Sequence, residues 1–447
     1  MSDTIAAVAT ANGVGSVAIV RISGNDALCV AKKIAKRDDF TPRYAHLCAL
    51  YDQNSEIIDE AIVIWFKAPH SFTTEDVVEF QSHGGFIVAE RILDTLLFYG
   101  VRLAEPGEFT RRAFLGGRID LTKAEAMAKL IEAKSNEAAK ILARQMKGEL
   151  KEFVDDVREL LLRAIAFVEV AIDYAEEDLP DDMVDNIFHQ LKNIELKMNK
   201  IVNSSERRRG LIEGFKVSIV GKPNVGKSSL LNAILGFKRA IVSDVAGTTR
   251  DTVEEQIRVD SYLIRIIDTA GIRDSTDVIE KIGVERSITA IKQSDIIVAV
   301  FDASRIWDEE DEQILSLLNR YCDNKEIVVV LNKIDLPQKI DTKKMEQFNP
   351  LKLSQDNKAE QIFSELKKRL LQMTQEDELF LISARQIEAV KRAKLSISQA
   401  KEPLLMGELE IFAFHLNDAI LAISSISKPV DFDDIMDKMF SEFCLGK

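Results

Sequence analysis

Short apolar runs alternate with glycine-bearing turns over the first hundred or so residues, and the pattern then shifts to helical spacing. Val17–Ile22 and Ala61–Phe66 read as strands. Phe86–Tyr99 brings its apolar residues to one face every three or four positions and reads as a helix. That mixture predicts an α+β domain over residues 1–117. From Leu121 to Glu206 the chain is rich in Ala, Glu, Lys and Leu, with almost no Gly or Pro. Residues 118–213 are therefore expected to be helical. The run Leu160–Val168, closely flanked by charge, is expected to be buried in a helical bundle rather than in a membrane. Three further runs, Lys216–Val220, Tyr262–Ile267 and Val328–Leu331, predict strands of an α/β domain over residues 214–376. Helical spacing returns from Ser383 to Phe443, within a last segment of residues 377–447. Two helical stretches bracketing an α/β domain predict that the latter is inserted into one discontinuous α-helical domain, since domain termini often lie close together.

Gly221-Lys222-Pro223-Asn224-Val225-Gly226-Lys227-Ser228 follows the first strand of the α/β domain and leads into a helix expected near Ser229. Such a loop turns its N–H groups toward phosphates; Lys227 reaches the β/γ-phosphates and the Ser228 hydroxyl ligates Mg²⁺. Asp268-Thr269-Ala270-Gly271 follows the second strand, where the Asp holds the Mg²⁺ shell and the glycine admits the γ-phosphate. Between them, Ser243-Asp244-Val245-Ala246-Gly247-Thr248-Thr249 reads as a switch loop, with Thr249 the candidate that completes the Mg²⁺ shell. After the third strand, Asn332-Lys333-Ile334-Asp335 offers a carboxylate that pairs with the N1–H and 2-amino group of guanine, a pair of donors adenine lacks. The three motifs in this order resemble the translation-factor-like branch of the P-loop (Ras-like) GTPases. Two loops compete for the last contact with the base. Ser354, ahead of the amphipathic stretch Ala359–Met373, is preferred to Ser383, where Ser383-Ala384-Arg385 runs straight into a helix.

Ras-like enzymes place a Gln after the DTAG glycine to orient the attacking water. This chain has Ile272 there. Either hydrolysis is very slow or the polar groups come from elsewhere. Asn224 is positioned in the loop to hold a monovalent cation beside the phosphates, in place of an arginine finger, with carbonyls of Ser243 and Val245 and with Thr248 completing the cage. Glu280, just beyond DTAG, is the candidate that orients the water. The blander alternatives are that Asn224 braces the loop and that Glu280 is a solvated carboxylate in a first helical turn.

The chain of 447 residues is 46% hydrophobic and 30% charged, which suits two to four soluble globular domains. No run reaches the length of a membrane span, and the N-terminus lacks the basic and apolar regions of a signal peptide. Four cysteines, Cys29, Cys48, Cys322 and Cys444, form no CxxC pair, so neither a zinc site nor a disulfide framework is expected, and a cytoplasmic location is. Acidic residues outnumber basic ones, 73 to 59, for a net charge of −14. That balance opposes a surface that grips nucleic acid by counterion release, so a partner or a local patch is needed for RNA work. Glu206-Arg207-Arg208-Arg209-Gly210 is either such a patch or, more commonly, a solvated junction.

Further segments complete a resemblance. Asp3-Thr4-Ile5-Ala6-Ala7, Val20-Arg21-Ile22-Ser23-Gly24, Ser82-His83-Gly84-Gly85, Pro106-Gly107-Glu108-Phe109-Thr110, Asp120–Ala126 and the terminal Cys444-Leu445-Gly446-Lys447, with the GTPase motifs, make the chain similar to the MnmE (TrmE) family of tRNA-modifying GTPases almost end to end. The resemblance implies an N-terminal α+β domain with a tetrahydrofolate-binding fold, a homodimer through that domain, and an FAD-dependent MnmG/GidA-type partner in a heterotetramer or larger complex. Together these would modify C5 of the wobble uridine of certain tRNAs. The one-carbon unit would come from a tetrahydrofolate derivative, 5-formyl or 5,10-methylene, and GTP hydrolysis would be stimulated by K⁺. By position, the resemblance assigns Arg21, Glu79, Arg118 and Lys447 to folate, and Asn224, Ser243, Val245 and Thr248 to K⁺. It assigns Ser228 and Thr249 to Mg²⁺, and Glu280 to the attacking water. Arg118 stands where Lys is expected, keeping the charge but not the compact ammonium. Ala11-Asn12-Gly13-Val14-Gly15 replaces the expected Pro-Pro-Gly-rich start. Cys444 is either a reactive thiol or a packing residue, and His83 either a base or a turn histidine of the folate pocket. A competing reading is a regulatory RNA-binding GTPase of the ribosome-assembly type, which would carry a basic module after the GTPase domain; here the tail is helical.

Overall fold

A computed structural model describes residues 3–11, 13–173, 181–237, 255–267, 288–321, 325–353, 357–374, 379–428 and 446. The chain forms two compact units, each made of separate stretches: Met1–Ala128 with Gln145–Lys192 and Arg392–Lys447, and Lys129–Arg144 with Asn193–Lys391.

In the first unit, strands β1 (Ile5–Val8), β2 (Val17–Ser23), β3 (Ala45–Tyr51), β4 (Ile57–Phe66), β5 (Val77–His83) and β6 (Arg102–Leu103) make a sheet in the order β3-β4-β5-β2-β1-β6. All neighbours are antiparallel except β1 and β6. Period-two alternation decides which face is covered. Val20 and Ile22 of β2 and Val78 and Phe80 of β5 share a core with Ile34 of α1 (Ala27–Ala35) and Ile92 and Leu96 of α2 (Phe86–Phe98). The intervening residues Arg21 and Glu79, directly opposed in register, emerge on the other face. There Ile5, Ala7, Ala104 and Phe109 form a smaller core with Phe72; Phe109 comes from α3 (Glu108–Leu115).

Helices α4 (Leu121–Glu132), α5 (Asn136–Lys147), α6 (Glu149–Asp173) and α7 (Asp181–Arg207) follow. The run Leu160–Val168 lies in α6 but is not buried all round. Leu161, Ala164, Ile165 and Val168 are buried, while Leu162 and Phe167 are exposed. A 3.6-residue period cannot turn nine consecutive side chains inward when the helix packs along one face.

The second unit holds α8 (Gly210–Glu213), β7 (Phe215–Val220), α9 (Lys227–Leu235), β8 (Glu255–Val259), β9 (Tyr262–Ile267), β10 (Ile296–Asp302), α10 (Glu309–Tyr321), β11 (Glu326–Asn332), β12 (Leu351–Lys352) and α11 (Lys358–Thr374). Its sheet runs β12-β11-β10-β7-β9-β8, parallel except for the β8–β9 ribbon. Every residue of β10 is buried, as a central parallel strand covered on both faces requires. Leu230, Leu231 and Ile234 of α9 and Ile362, Phe363 and Leu366 of α11 cover one face; Leu315 and Leu318 of α10 cover the other. The helical segment 129–144 docks on β8: Lys134 Nζ donates to Gln256 Oε1 at 2.9 Å, and Arg258 donates to the Lys134 carbonyl at 2.6 Å.

The triple arginine is not solvated throughout. Arg208 is 4% exposed, its guanidinium lying 5.5 Å from the centre of the Phe380 ring. Arg209 pairs with Glu213 at 2.7 Å. The second stretch of the unit runs on to Lys391, inside α12 (Ala384–Met406), a helix that starts at the Ser383 hydroxyl, which accepts from the Gln386 N–H at 3.2 Å. Its later turns, with α13 (Leu409–Ser424), belong to the first unit, where α13 packs along α6.

Candidate nucleotide site

The carboxyl ends of β7, β10 and β11 converge, because Val220 pairs in register with Ala299, and Asp302 with Asn332. Ligands of open parallel sheets bind at such ends. The loop 221–226 closes there, and its sequence follows from its contacts. Gly221 passes so near β10 that a Cβ would lie 2.4 Å from the Val300 carbonyl oxygen. Gly226, at φ +103°, would place a Cβ 2.1 Å from the Asn332 amide nitrogen. Asn224 takes a left-handed φ of +64° with an exposed side chain.

Two residues of the NKxD segment hold this loop. Asn332 Nδ2 donates to the Val225 carbonyl at 2.7 Å. Lys333, itself left-handed at φ +59°, donates from Nζ to the Asn224 carbonyl at 2.9 Å and to Asp302 Oδ2 at 2.6 Å. Burial works to raise the Asp302 carboxyl, but hydrogen bonds from Lys333 and Ser304 outweigh it and hold the group below its usual range. Asn332 Oδ1 is buried with no hydrogen-bond partner among the described residues, the kind of atom that a bound group or an adjoining loop satisfies. Asp335 is exposed in the turn beyond.

Lys227 opens α9, and its Nζ donates to the carbonyls of Gly221 at 2.8 Å and Lys222 at 2.7 Å. Burial pushes its ammonium below the usual lysine range, so an anionic ligand would restore what desolvation takes away. Ser228 and Ser229 stand in the first turn, where the helix dipole favours anions. The loop thus joins Asn224, Val225, Gly226, Lys227, Asn332 and Lys333 directly. Ser243, Asp244, Val245, Ala246, Gly247, Thr248, Thr249, Asp268, Thr269, Ala270, Gly271, Glu280 and Ser354 lie outside the described residues.

In the first unit, Arg21 and Glu79 form an ion pair at 2.8 Å, with the guanidinium 5.7 Å from the centre of the Phe109 ring and 6.0 Å from that of Phe72. Arg118, exposed after α3, is not joined to this pair by a hydrogen bond among the described residues. Gly446, buried at φ +93°, leaves a Cβ only 2.3 Å from the Val8 carbonyl oxygen. It therefore lies against β1, the strand that pairs with β2 through Ala7 and Arg21. Cys444 and Lys447 lie outside the described residues. His83 Nδ1 lies 2.8 Å from Asp59 Oδ1, leaving an exposed imidazole with one oriented nitrogen.

The family model for the GTP-binding protein TrmE N-terminus matches residues 4–118, and that for the MnmE helical domain matches residues 121–444. The chain belongs to the MnmE family. Among relatives of this MnmE-family chain, tRNA modification GTPase MnmE of Sulfurovum sp. (strain NBC37-1) is 59% identical, covering 100% of this chain and 99% of that protein. MnmE of Sulfurimonas denitrificans is 57% identical over the same shares. A solved structure of Aquifex aeolicus Era bound to GDP and AlF4⁻ is 29% identical over 41% of this chain and 66% of that one, with a TM-score of 0.25.

Some residues of this MnmE-family chain that shape the sites carry no motif signal. Asp302 is one, fixing Lys333 from the end of β10. Others gather at α3, the helix that supplies Phe109. Ser23 Oγ donates to Glu75 Oε2 at 2.9 Å, and Arg112 bonds Glu75, Glu108 and Asp3. The Arg102 hydrogen bond, reinforced by Arg112, lowers the Asp3 carboxyl to about 2. Only the meeting of distant segments assembles these groups.

Proposed function

We propose that this chain is a potassium-stimulated GTPase of tRNA modification that acts with an FAD-dependent partner on C5 of the wobble uridine of certain tRNAs, using a tetrahydrofolate-borne one-carbon unit. The observation that carries the GTPase part is the bonding of Lys333 and Asn332 to the Asn224 and Val225 carbonyls, because it welds the phosphate loop to the guanine-reading segment. Membership of the MnmE family over the full chain carries the tRNA part.

Lys227 and the first-turn amides of α9 hold the phosphates, and Asp335 reads the guanine edge. Ser228 and Thr249 would hold Mg²⁺; Asn224, Ser243, Val245 and Thr248 would hold K⁺. When bound, these cations supply positive charge beside the phosphates, where hydrolysis needs it. Glu280 orients the attacking water in place of the missing glutamine. Arg21 and Glu79, seated beside two aromatic rings, offer the donors, acceptors and flat apolar surface that suit a pterin; Arg118, Lys447 and Cys444 belong to the same reading. Residues 1–117 form the dimerising folate-binding-like domain, and residues 118–213 and 377–447 the helical domain around a GTPase domain of residues 214–376.

The test is nucleoside mass spectrometry of tRNA from a strain lacking the gene. Loss of the C5-modified wobble uridine is expected. An unaltered nucleoside profile overturns the tRNA part of the proposal.

A further inference from the structure

Lys222 fills the first variable position of the phosphate loop, yet its side chain is only 6% exposed. Its Nζ donates to Asp308 Oδ2 at 2.6 Å and to Asp311 Oδ2 at 2.7 Å. Those carboxylates are the capping box of α10. Asp308 Oδ1 accepts from the N–H groups of Glu310 and Asp311 at 3.0 and 3.2 Å, and Asp311 Oδ2 accepts from the Asp308 N–H at 3.3 Å. The cap therefore forms a socket anchored to α10. Asp311 is 4% exposed, and Asp308 is the solvent-side partner. Burial works to lower the Lys222 ammonium, but the two carboxylates outweigh it and raise the group above its usual range.

Buried ion pairs seldom add net stability, so this one calls for another role. The backbone of the same residue supplies it. The Lys222 carbonyl, beside that of Gly221, accepts from Lys227 Nζ. One end of Lys222 is bolted to α10 while the other holds the lysine that meets the phosphates. We propose that Lys222 is a positioning residue of the nucleotide site, fixing the start of the loop against α10 and thereby the place of Lys227. This rests on the reading of residues 221–228 as a phosphate loop. Because the loop holds phosphates common to GDP and GTP, Lys222 acts on the affinity for both nucleotides and leaves the chemical step alone.

The experiment uses the intact protein with Mg²⁺, binding of fluorescent mant-GDP and mant-GppNHp, and GTP turnover at saturation. For Lys222→Met, Kd is expected to rise about tenfold for both nucleotides, with KM following and kcat within about threefold of wild type. Lys222→Arg restores affinity to within about threefold, since a guanidinium can reach both carboxylates. Asp308→Asn, at the exposed partner, keeps the fold and weakens binding by about threefold. Trp307 stacks on Phe301 next to Asp308, and its emission reports the socket in each variant. Wild-type affinity in Lys222→Met overturns the proposal, as does a loss confined to kcat. If Lys222→Met does not fold, wild-type affinity in Asp308→Asn overturns it instead. A wild-type protein that binds neither nucleotide refutes the phosphate-loop reading, a separate outcome.

Discussion

At the scale of single residues, Asn224 joins backbone strain to proposed chemistry. A left-handed φ of +64° costs a non-glycine residue roughly 1 kcal/mol, least for Asn. Gly would relieve that strain, so what Asn adds at this position is its carboxamide. GTP turnover is expected to be at least several-fold faster in KCl than in NaCl, because Na⁺ is too small for the proposed K⁺ cage. Asn224→Gly is expected to keep nucleotide affinity and lose that difference. Equal rates of the wild type in both salts would return Asn224 to bracing the loop. Glu280→Ala is expected to bind GTP normally and turn over slowly; normal turnover would leave Glu280 a surface carboxylate. The loop glycines were legible in the sequence because backbone approach imposes them, as the Gly221–Val300 and Gly226–Asn332 contacts show. Lys222 was not legible, because its motif position admits any residue and its partners lie more than eighty positions away.

At the scale of elements, α3 is held through Arg112, 11% exposed and paired with Asp3, Glu75 and Glu108. Arg112→Met leaves Glu75 and Glu108 with less compensation, and a loss of about 3 kcal/mol in stability is expected by denaturant unfolding. Burial works to raise Glu108, but Arg102, the Glu105 N–H and Arg112 hold it below its usual range. With both Glu108 and Asp3 depressed, their contribution is present above the unfolded carboxylate range and fades as pH falls toward about 2, the value for Asp3. Asp3 is half exposed, so solvent screening leaves Glu108 the larger share. Acid unfolding of Arg112→Met is accordingly expected to show a shallower pH dependence. Asp295 has the opposite sign. Burial raises its carboxyl even though it accepts the Lys216 N–H, so its ionisation opposes folding as pH rises. Asp295→Asn keeps an acceptor and removes the charge; a gain of about 1 kcal/mol at pH 7, absent in acid, is expected. Strands β2, β7, β9 and β11 were legible because their apolar runs end at glycine or polar turns. The buried Arg208 was not, since Phe380 reaches it from a segment far along the chain.

At the scale of the whole molecule, periodicity distinguished helical stretches from α/β ones but not which helices pack with which sheet. Residues 129–144 share the spacing of the helices around them, yet Lys134 and the Ile141 side chain join them to the second unit. Such membership is decided by side chains that meet only in the fold. Charge, by contrast, is legible at once and constrains how this chain meets RNA. With a net charge of −14, and with Arg208 stacked on Phe380 and Arg209 paired to Glu213, residues 206–210 do not form a wholly free basic cluster. Affinity for tRNA comes largely from phosphates neutralised by Lys and Arg, and the slope of log K against log salt counts them. This chain alone is therefore expected to bind tRNA weakly, with a shallow slope. Adding the proposed FAD-dependent partner is expected to tighten binding by at least tenfold and to steepen the slope, the signature of phosphate contacts supplied by that partner. Fluorescence anisotropy of labelled tRNA across a salt series, with and without the partner, measures both quantities. Tight binding by this chain alone with a steep slope would place the RNA-gripping surface here, and the division of labour between modification chemistry and RNA capture would have to be reversed.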